Sequence, residues 1–290
     1  MTAETFNDAE LRQAMHRVRT EVDKAVVGQA GTVTGLLVSL LARGHVLLEG
    51  VPGVAKTLVV RSFARALGLD TKRVQFTPDL MPGDVTGSLV YDARTGEFDF
   101  RAGPVFTNIL LADEINRTPP KTQAALLEAM EERQVSADGV SRPLPDPFLV
   151  AATQNPIEHE GTYSLPEAQL DRFLMKLVVG MPERDAEVSV LRKHASGFSP
   201  RELTGVEATV SADEIRAAQD AAGRVEVTDD VLGYVVDLAR ATRQSPSVEL
   251  GASPRASTGL LAAAKAWAWL NASTAVTPDH VQTMLCLLYT

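Results

Sequence analysis

The chain has 290 residues, of which 45% are hydrophobic and 22% charged, and its formal net charge is −9. This length suits one large domain or two modest ones, with a core that needs no disulfides. The acidic balance argues against a general nucleic-acid binder, because phosphate contacts favour a basic surface. The single cysteine, Cys286, has no second cysteine with which to form an internal disulfide or a cysteine metal cluster.

The N-terminus is polar and acidic, and it lacks the basic and apolar regions of a signal peptide. The most apolar stretch, near 36–41, is far shorter than the roughly 20 residues that span a bilayer. We therefore expect a cytoplasmic protein without direct membrane insertion.

The first part of the chain alternates predicted helices with predicted strands. Apolar residues at helical spacing predict helices over 8–25 and 33–41. Short apolar runs predict buried strands, and helices follow two of them; the strands are 45–49, 74–76, 108–112, 148–153 and 174–179, and the helices 56–67 and 119–132. This order predicts an α/β fold in which a parallel sheet lies between helices.

Two segments interrupt this alternation. Residues 77–106 are rich in turn-forming residues, and 133–147 suggest a hairpin that turns at Asp138-Gly139. After Pro182 only helices are predicted, over 183–195, 211–222, 228–243, 254–270 and 278–288. We therefore expect a core over 1–182, which includes the N-terminal helix, and a small all-α domain over 183–290.

A glycine-rich turn between the first strand and its helix predicts a phosphate site. It reads Gly50, Val51, Pro52, Gly53, Val54, Ala55, Lys56 and Thr57, and Leu58 continues it into the helix. The P-loop template is Gly, four residues, Gly, Lys, then Ser or Thr, so alanine here replaces the second template glycine. That alanine adds only a methyl group, at a position where we expect the chain to be entering the helix.

The other requirements of a P-loop are met. Gly50 and Gly53 allow backbone N–H groups to face an anion, and the helix N-terminus favours negative charge. Lys56 can reach the terminal phosphates of ATP, and Thr57 can offer a hydroxyl to Mg²⁺. The alternative is a chance Gly/Pro turn before a helix.

The strand over 108–112 delivers two adjacent carboxylates, Asp113 and Glu114. Buried carboxylates are costly unless they meet a cation or water. Asp113 is placed to hold Mg²⁺ through its waters, and Glu114 to orient and deprotonate the attacking water. The alternative is a solvated strand end with incidental acids.

These two motifs resemble Walker A and Walker B of AAA+ ATPases. With ATQNP at 152–156, LPEAQLDRF at 165–173 and SPRA at 253–256, residues 20–290 resemble the MoxR family, in the helix-2-insert group. Family members usually continue for a few tens of residues more, so the resemblance implies a shortened helical domain.

The resemblance implies further site residues. Asn155 is implied as sensor 1, and Arg172 as the arginine finger that reaches the γ-phosphate held by a neighbouring subunit. Arg255 is implied as sensor 2, in contact with the nucleotide of its own subunit, and Val27, Gly28 and Gln29 as the segment against adenine. The alternatives without a role in catalysis are an Asn-Pro turn at Asn155, an ion pair of Arg172 with Asp171 or Glu167, and a solvated Arg255.

The function implied is ATP hydrolysis by a ring, expected to be a hexamer, that remodels or matures client proteins. A partner with a von Willebrand factor A domain is also implied, and the hairpins over 77–106 and 133–147 are expected to face the pore. One alternative is the motor subunit of a magnesium or cobalt chelatase, and another is a nucleic-acid motor. A GTPase is disfavoured, because Asp84-Val85-Thr86-Gly87 matches a DxxG spacing but no guanine motif follows.

Overall fold

The computed structural model describes residues 6–137, 139–156 and 162–285. Its first part comprises α1 (Asp8–Ala25), α2 (Ala30–Leu41), β1 (Val46–Glu49), α3 (Lys56–Leu67), β2 (Thr71–Gln75), α4 (Pro82–Thr86), β3 (Gly87–Asp92), β4 (Glu97–Ala102), β5 (Ile109–Asp113), α5 (Pro120–Glu132), β6 (Gln134–Ala137), β7 (Val140–Pro143), β8 (Leu149–Gln154), α6 (Glu167–Leu170) and β9 (Met175–Val178). Its second part comprises α7 (Arg184–Ala195), α8 (Ala212–Gly223), α9 (Asp229–Gln244), α10 (Pro254–Leu270) and α11 (Pro278–Leu285).

Five strands form one parallel sheet in the order β2-β5-β8-β1-β9. This confirms the predicted α/β fold. Because parallel strands all run the same way, their carboxyl ends share one edge of the sheet and their amino ends share the other. Residues that directly follow the strands therefore lie at the carboxyl edge of the sheet, and residues that directly precede them lie at the amino edge.

Alternation along each strand sorts the apolar side chains between two faces of the sheet. On β5, for example, Ile109 and Leu111 belong to one buried cluster, while Leu110 and Ala112 belong to the other. Helices α1, α2 and α3 cover the first face, and α5 covers the second. Covering both faces explains why the central strands read as continuous apolar runs.

Of the helices after β9, α8 and α10 pack against α1 and α2, and α9 and α11 pack against α10. Residues of α8, α10 and α11 share one continuous buried cluster with the first face of the sheet. Polar contacts cross the same boundary, where Gln219 donates to the Leu40 carbonyl at 2.7 Å and Arg43 pairs with Asp220 at 2.6 Å. The helical part is therefore joined to the sheet through the N-terminal helices.

Some predicted bounds need correction. The second helix begins at Ala30 rather than 33, and the second strand begins at Thr71 rather than 74. The segment over 77–106 holds the short helix α4 and the antiparallel hairpin β3–β4, and the hairpin β6–β7 is present as expected. Asp138, Cys286 and the predicted end of the last helix lie outside the described residues.

No helix in the described part of the chain is long and apolar enough to cross a membrane.

Candidate nucleotide site and arginine cluster

The P-loop curls from the end of β1 into α3, and its geometry explains its glycines. A Cβ at Gly50 would lie 2.4 Å from the Val179 carbonyl oxygen, and Gly53 has φ +88°. Ala55 has φ 65° and ψ 20°, in the left-handed region. Our expectation that Ala55 enters the helix is therefore wrong, because helical geometry begins only at Lys56. The methyl group sits where a glycine would be unstrained.

Lys56 lies at the centre of this loop. Its ammonium donates to the Gly50 carbonyl and, at 2.9 Å, to the Val51 carbonyl. Burial lowers the pKa of Lys56, and the negative charges of Asp113 and Glu114 partly oppose that shift. A phosphate chain in the loop would offer the same ammonium charged acceptors in place of neutral carbonyls.

Asp113 ends β5 beside the P-loop. One of its oxygens accepts from the Thr57 hydroxyl at 3.2 Å, and the other accepts from the Thr153 hydroxyl at 2.6 Å. Arg73 on β2 bonds the first oxygen through Nε at 2.9 Å and Nη2 at 2.7 Å. The carboxylate, 9% exposed, thus has a cation beside it, as a buried charge requires.

Glu114 follows with a left-handed backbone, φ 58°. Its N–H donates to the Thr153 hydroxyl at 3.0 Å, and its carboxylate accepts from Gln75 at 2.6 Å and pairs with Arg117 at 3.0 Å. Asn155, a buried residue, directly follows β8, the neighbour of β5 in the sheet. The structure therefore brings the predicted residues Lys56, Thr57, Asp113, Glu114 and Asn155 to the same edge.

The donors at this edge suit Mg²⁺. The cation prefers one or two carboxylates, with the remaining positions taken by water and phosphate oxygens. Thr57 and Asp113 already lie within hydrogen-bond distance of each other, beside the phosphate loop. No group of three or more His, Cys, Asp or Glu side chains that could hold a metal exists among the described residues.

A largely apolar cavity of about 390 Å³ adjoins the P-loop. The loop and α3 contribute Gly53, Val54, Ala55 and Leu58, and Val27 and Gln29 lie beside them. Gly28, with φ +76°, turns the chain and lines an adjacent cavity instead. The opposite wall was not predicted and comes from Met181, Pro182, Val190, Leu191 and Phe198. A flat apolar base would fit between these walls, between the core and the first helix of the helical part.

Arg172 lies at the other edge of the sheet. It precedes β9, and Leu174, which lies between Arg172 and β9, donates its N–H to the carbonyl of His45, just before β1. Its guanidinium pairs with Glu131 at 3.1 Å, so its partner is neither Asp171 nor Glu167. With a rise of about 3.3 Å per residue, the five residues from His45 to Gly50 separate the two edges by roughly 16 Å.

Arg255, at the start of α10, pairs with the same Glu131 carboxylate. A cavity of about 350 Å³ is lined by both arginines and by His45, at the amino edge. The expected contact of Arg255 with the nucleotide of its own subunit is therefore wrong for this structure. The P-loop lies beyond the carboxyl ends of the strands, whereas Arg255 lies with Arg172 beyond their amino ends.

The DxxG spacing has a local role. Asp84 accepts from the N–H of Met81 at 2.8 Å and so caps α4, within the segment between β2 and β5. This accounts for the aspartate without guanine nucleotide chemistry.

This chain is similar to two family models and to known proteins. A family model described as "ATPase family associated with various cellular activities (AAA)" matches residues 45–175, and one described as "AAA lid domain" matches 240–289. The chain is 47% identical over 276 residues to the protein named Chaperone MoxR1 of Mycobacterium tuberculosis, covering 92% of this chain and 72% of that one. This chain belongs to the MoxR family of AAA+ ATPases. The expected fold class, family and ATPase activity are confirmed.

Two further likenesses support the membership. The MoxR-family chain is 48% identical over 273 residues to protein YeaC of Bacillus subtilis, covering 94% of this chain and 84% of that one. A crystal structure from Cytophaga hutchinsonii, described as that of a candidate ATPase, matches with a TM-score of 0.88 and 39% identity over 97% of this chain and 87% of that one.

Sequence reasoning missed several residues around these sites. Arg73 and Gln75 are two positions apart and therefore lie on the same face of β2, and Gln75 pairs in register with Asp113. Two polar residues at this spacing could have indicated a strand with a polar face, but only if the predicted strand had begun at Thr71. Glu131 gave no signal, because it is one of several acids on α5 and its two partners are distant in sequence.

Proposed function

We propose that this MoxR-family ATPase works as a ring, with six subunits, whose ATP sites are each completed by a neighbouring subunit. The observation that carries this proposal is the position of Arg172 and Arg255 at the sheet edge opposite the P-loop. Roughly 16 Å separates the two edges, so these arginines cannot serve the nucleotide of their own chain. A neighbour that docks against that edge would present its P-loop to them.

In this proposal the residues at the carboxyl edge act on ATP in their own subunit. Lys56 and the P-loop N–H groups bind the phosphates, and the apolar cavity takes the adenine. Glu114 accepts the proton of the attacking water, which Asn155 helps to orient. Thr57 and Asp113 would hold Mg²⁺, which neutralises phosphate charge when bound.

Arg172 and Arg255 act on the neighbour's ATP. Preorganised guanidinium groups stabilise the charge that develops on the transferred phosphoryl group, without the reorganisation that water would require. Hydrolysis would then alter the contacts at the subunit boundary, and the altered boundary would move elements exposed on the ring.

The proposed client contacts are the exposed hairpins. Met81, Tyr91 and Phe98 on and beside the β3–β4 hairpin are 65%, 56% and 66% exposed, which is unusual for large apolar side chains in one segment. Such a surface suits transient contact with a protein being remodelled. The chaperone name of the Mycobacterium relative favours that client class. The von Willebrand factor A domain partner implied by the sequence and a cytoplasmic location remain parts of this proposal.

The test is steady-state ATPase activity across protein concentration, with light scattering on the same samples. Specific activity should rise with concentration and follow a ring-sized species. Glu114→Gln should bind ATP and not hydrolyse it, and Arg172→Ala should bind ATP normally but lose about 10³-fold in turnover. Arg240→Ala, which removes an exposed arginine of α9, is the control and should behave as wild type.

Either of two results would refute the shared site. One is concentration-independent turnover by a monomer. The other is an Arg172→Ala variant that hydrolyses ATP at the wild-type rate.

A further inference from the structure

We propose that Glu131 is a positioning residue that holds Arg172 and Arg255 as one unit for presentation to the neighbour's phosphates. The inference rests on the proposed shared site. Each oxygen of the carboxylate serves a different arginine, with Oε2 3.1 Å from Arg172 and Oε1 paired with Arg255. One side chain at the end of α5 thus links an arginine of the core to an arginine of the helical part.

The backbones that carry the two arginines are joined as well. Ser253, immediately before Pro254 and Arg255, donates its hydroxyl to Asp171 at 2.7 Å. The same hydroxyl accepts from the N–H of Ala256 at 3.0 Å and so caps α10. Asp171 directly precedes Arg172. The two arginines are therefore held at their bases by Asp171 and Ser253, and at their heads by Glu131.

The charges around the cluster show why an anion is needed between the arginines. Arg43 and Arg133 line the same cavity as Arg172 and Arg255, and Arg43 is also paired with Asp220. Burial lowers the pKa of Arg133, and the nearby charge of Arg43 lowers it further. Without Glu131, like charges would push the two heads apart.

Pairing with Glu131 leaves the arginines able to bind phosphate. A guanidinium has five N–H donors in a fixed fork, so one bond to the carboxylate leaves the others available. The Glu131 side chain is 35% exposed, and pairs this exposed add little to stability. The structure therefore assigns Glu131 to orientation rather than to folding.

We expect Glu131→Gln to lower the turnover of assembled protein by about 10- to 100-fold, as misplacement of charge by an ångström does. A glutamine of the same shape can accept from one arginine through its single oxygen, while its N–H₂ group repels the other. Glu128→Gln is the matched control, since this acid lies one turn earlier on α5 and is exposed. Its turnover should equal that of wild type.

A mixing experiment shows in which subunit Glu131 acts. Arg172→Ala has an intact P-loop but no finger, and Glu114→Gln binds ATP and keeps its finger. An equal mixture should recover activity that neither variant has alone. Adding Glu131→Gln to the Glu114→Gln chain should remove about nine-tenths or more of the recovered activity, on the same positioning argument. Adding it to the Arg172→Ala chain should leave recovery nearly unchanged.

The outcomes separate the two proposals. Failure of the parent mixture to recover activity overturns the shared site and, with it, the role of Glu131. Recovery that is insensitive to Glu131→Gln in the finger-donating chain overturns the role of Glu131 alone. Equal loss of activity from either chain would show that Glu131→Gln disturbs the structure. Increased activity would show that Glu131 holds the two arginines back from the neighbour's phosphates. Either result would contradict a positioning role for Glu131. Light scattering and thermal melting of each variant should match wild type.

Discussion

At the scale of single residues, His45 shows how a buried polar group is fixed by its partners. Its Nδ1 accepts from the Val150 N–H at 3.0 Å, so the proton must sit on Nε2, which lies 3.2 Å from the Met130 carbonyl. Burial, reinforced by the charge of Arg133, lowers the pKa of His45 from 6.5 to about 4. A second proton would meet a backbone N–H, so the folded chain strongly favours the neutral ring.

The lowered pKa of His45 makes the unfolding free energy of the chain decrease in acid. Above pH 6.5 the ring is neutral in both states, and its contribution to stability is fully present. As pH falls from 6.5 towards about 4, the unfolded chain binds a proton that the folded chain excludes. At about pH 5, wild type should have lost about 2 kcal/mol more of its unfolding free energy than His45→Gln has, as measured by urea titration.

Exposed His16 provides the control for this measurement. His16→Gln should keep the steep wild-type loss of stability with acid, whereas His45→Gln should be less stable at neutral pH but flatter below it. Parallel pH profiles for wild type and His45→Gln would contradict the proposed link between this ring and acid sensitivity.

At the scale of elements, the edge strand β2 has a larger role than its length suggests. Arg73 and Gln75 project from one face of it and bond each other at 2.9 Å. Arg73 binds Asp113 and Gln75 binds Glu114, so one strand contacts both acids at the end of β5. The guanidinium places a positive charge on the same Asp113 oxygen that Mg²⁺ would approach beside Thr57.

We therefore expect Arg73→Gln to bind nucleotide at a lower Mg²⁺ concentration. Arg73 is 52% exposed, so solvent weakens its pair with Asp113, and the half-saturating Mg²⁺ concentration should fall by roughly three- to tenfold. The measurement is binding of a fluorescent, non-hydrolysable ATP analogue during Mg²⁺ titration. Lys72→Gln removes the same charge from the adjacent position of β2, where the ammonium bonds the Phe106 carbonyl, and should leave the titration unchanged.

A raised Mg²⁺ requirement in Arg73→Gln would have a different meaning. Arg73 would then assist the binding of the metal and nucleotide rather than compete with the metal for Asp113.

Elements with strong local patterns could be predicted from sequence, and others could not. Buried strands such as β5 read as apolar runs because both faces of the sheet are covered. The start of β2 was missed because Thr71, Lys72 and Arg73 are polar and exposed, as an edge strand permits. Helix α6 has only four residues, too few to show a helical period.

The candidate site likewise contains residues that could be predicted from sequence and residues that could not. Gly50–Thr57 and Asp113-Glu114 are contiguous motifs, so their chemistry could be predicted from spacing alone. The contact of Arg73 with Asp113 spans 40 positions, and that of Arg255 with Glu131 spans 124. Such pairings follow from the fold rather than from local sequence. For this reason the sequence did not predict the edge of the sheet at which Arg255 lies, and only the structure shows it.

At the scale of the whole molecule, one apolar cluster joins the sheet to the helical part. It includes Leu48 of β1, Leu36 of α2 and Trp269 of α10. Trp269 is 2% exposed, and its indole N–H donates to Asp8 of α1 at 3.3 Å. A continuous core of this kind resists separate unfolding of its halves, so the helices after β9 should lose their structure together with the sheet.

Both tryptophans, Trp267 and Trp269, lie on α10, so their fluorescence reports on the helical part while far-UV circular dichroism reports on the whole chain. The two signals should change at the same denaturant concentration in wild type. Trp269→Ala should lower the unfolding free energy by about 3–5 kcal/mol, through the cavity that it leaves under α10, and shift both signals together. Trp267→Ala, at a half-buried position beside the same core, should cost less. Fluorescence that changed well before circular dichroism would show instead that the helical part opens independently, which would let it move during the ATPase cycle without disturbing the sheet.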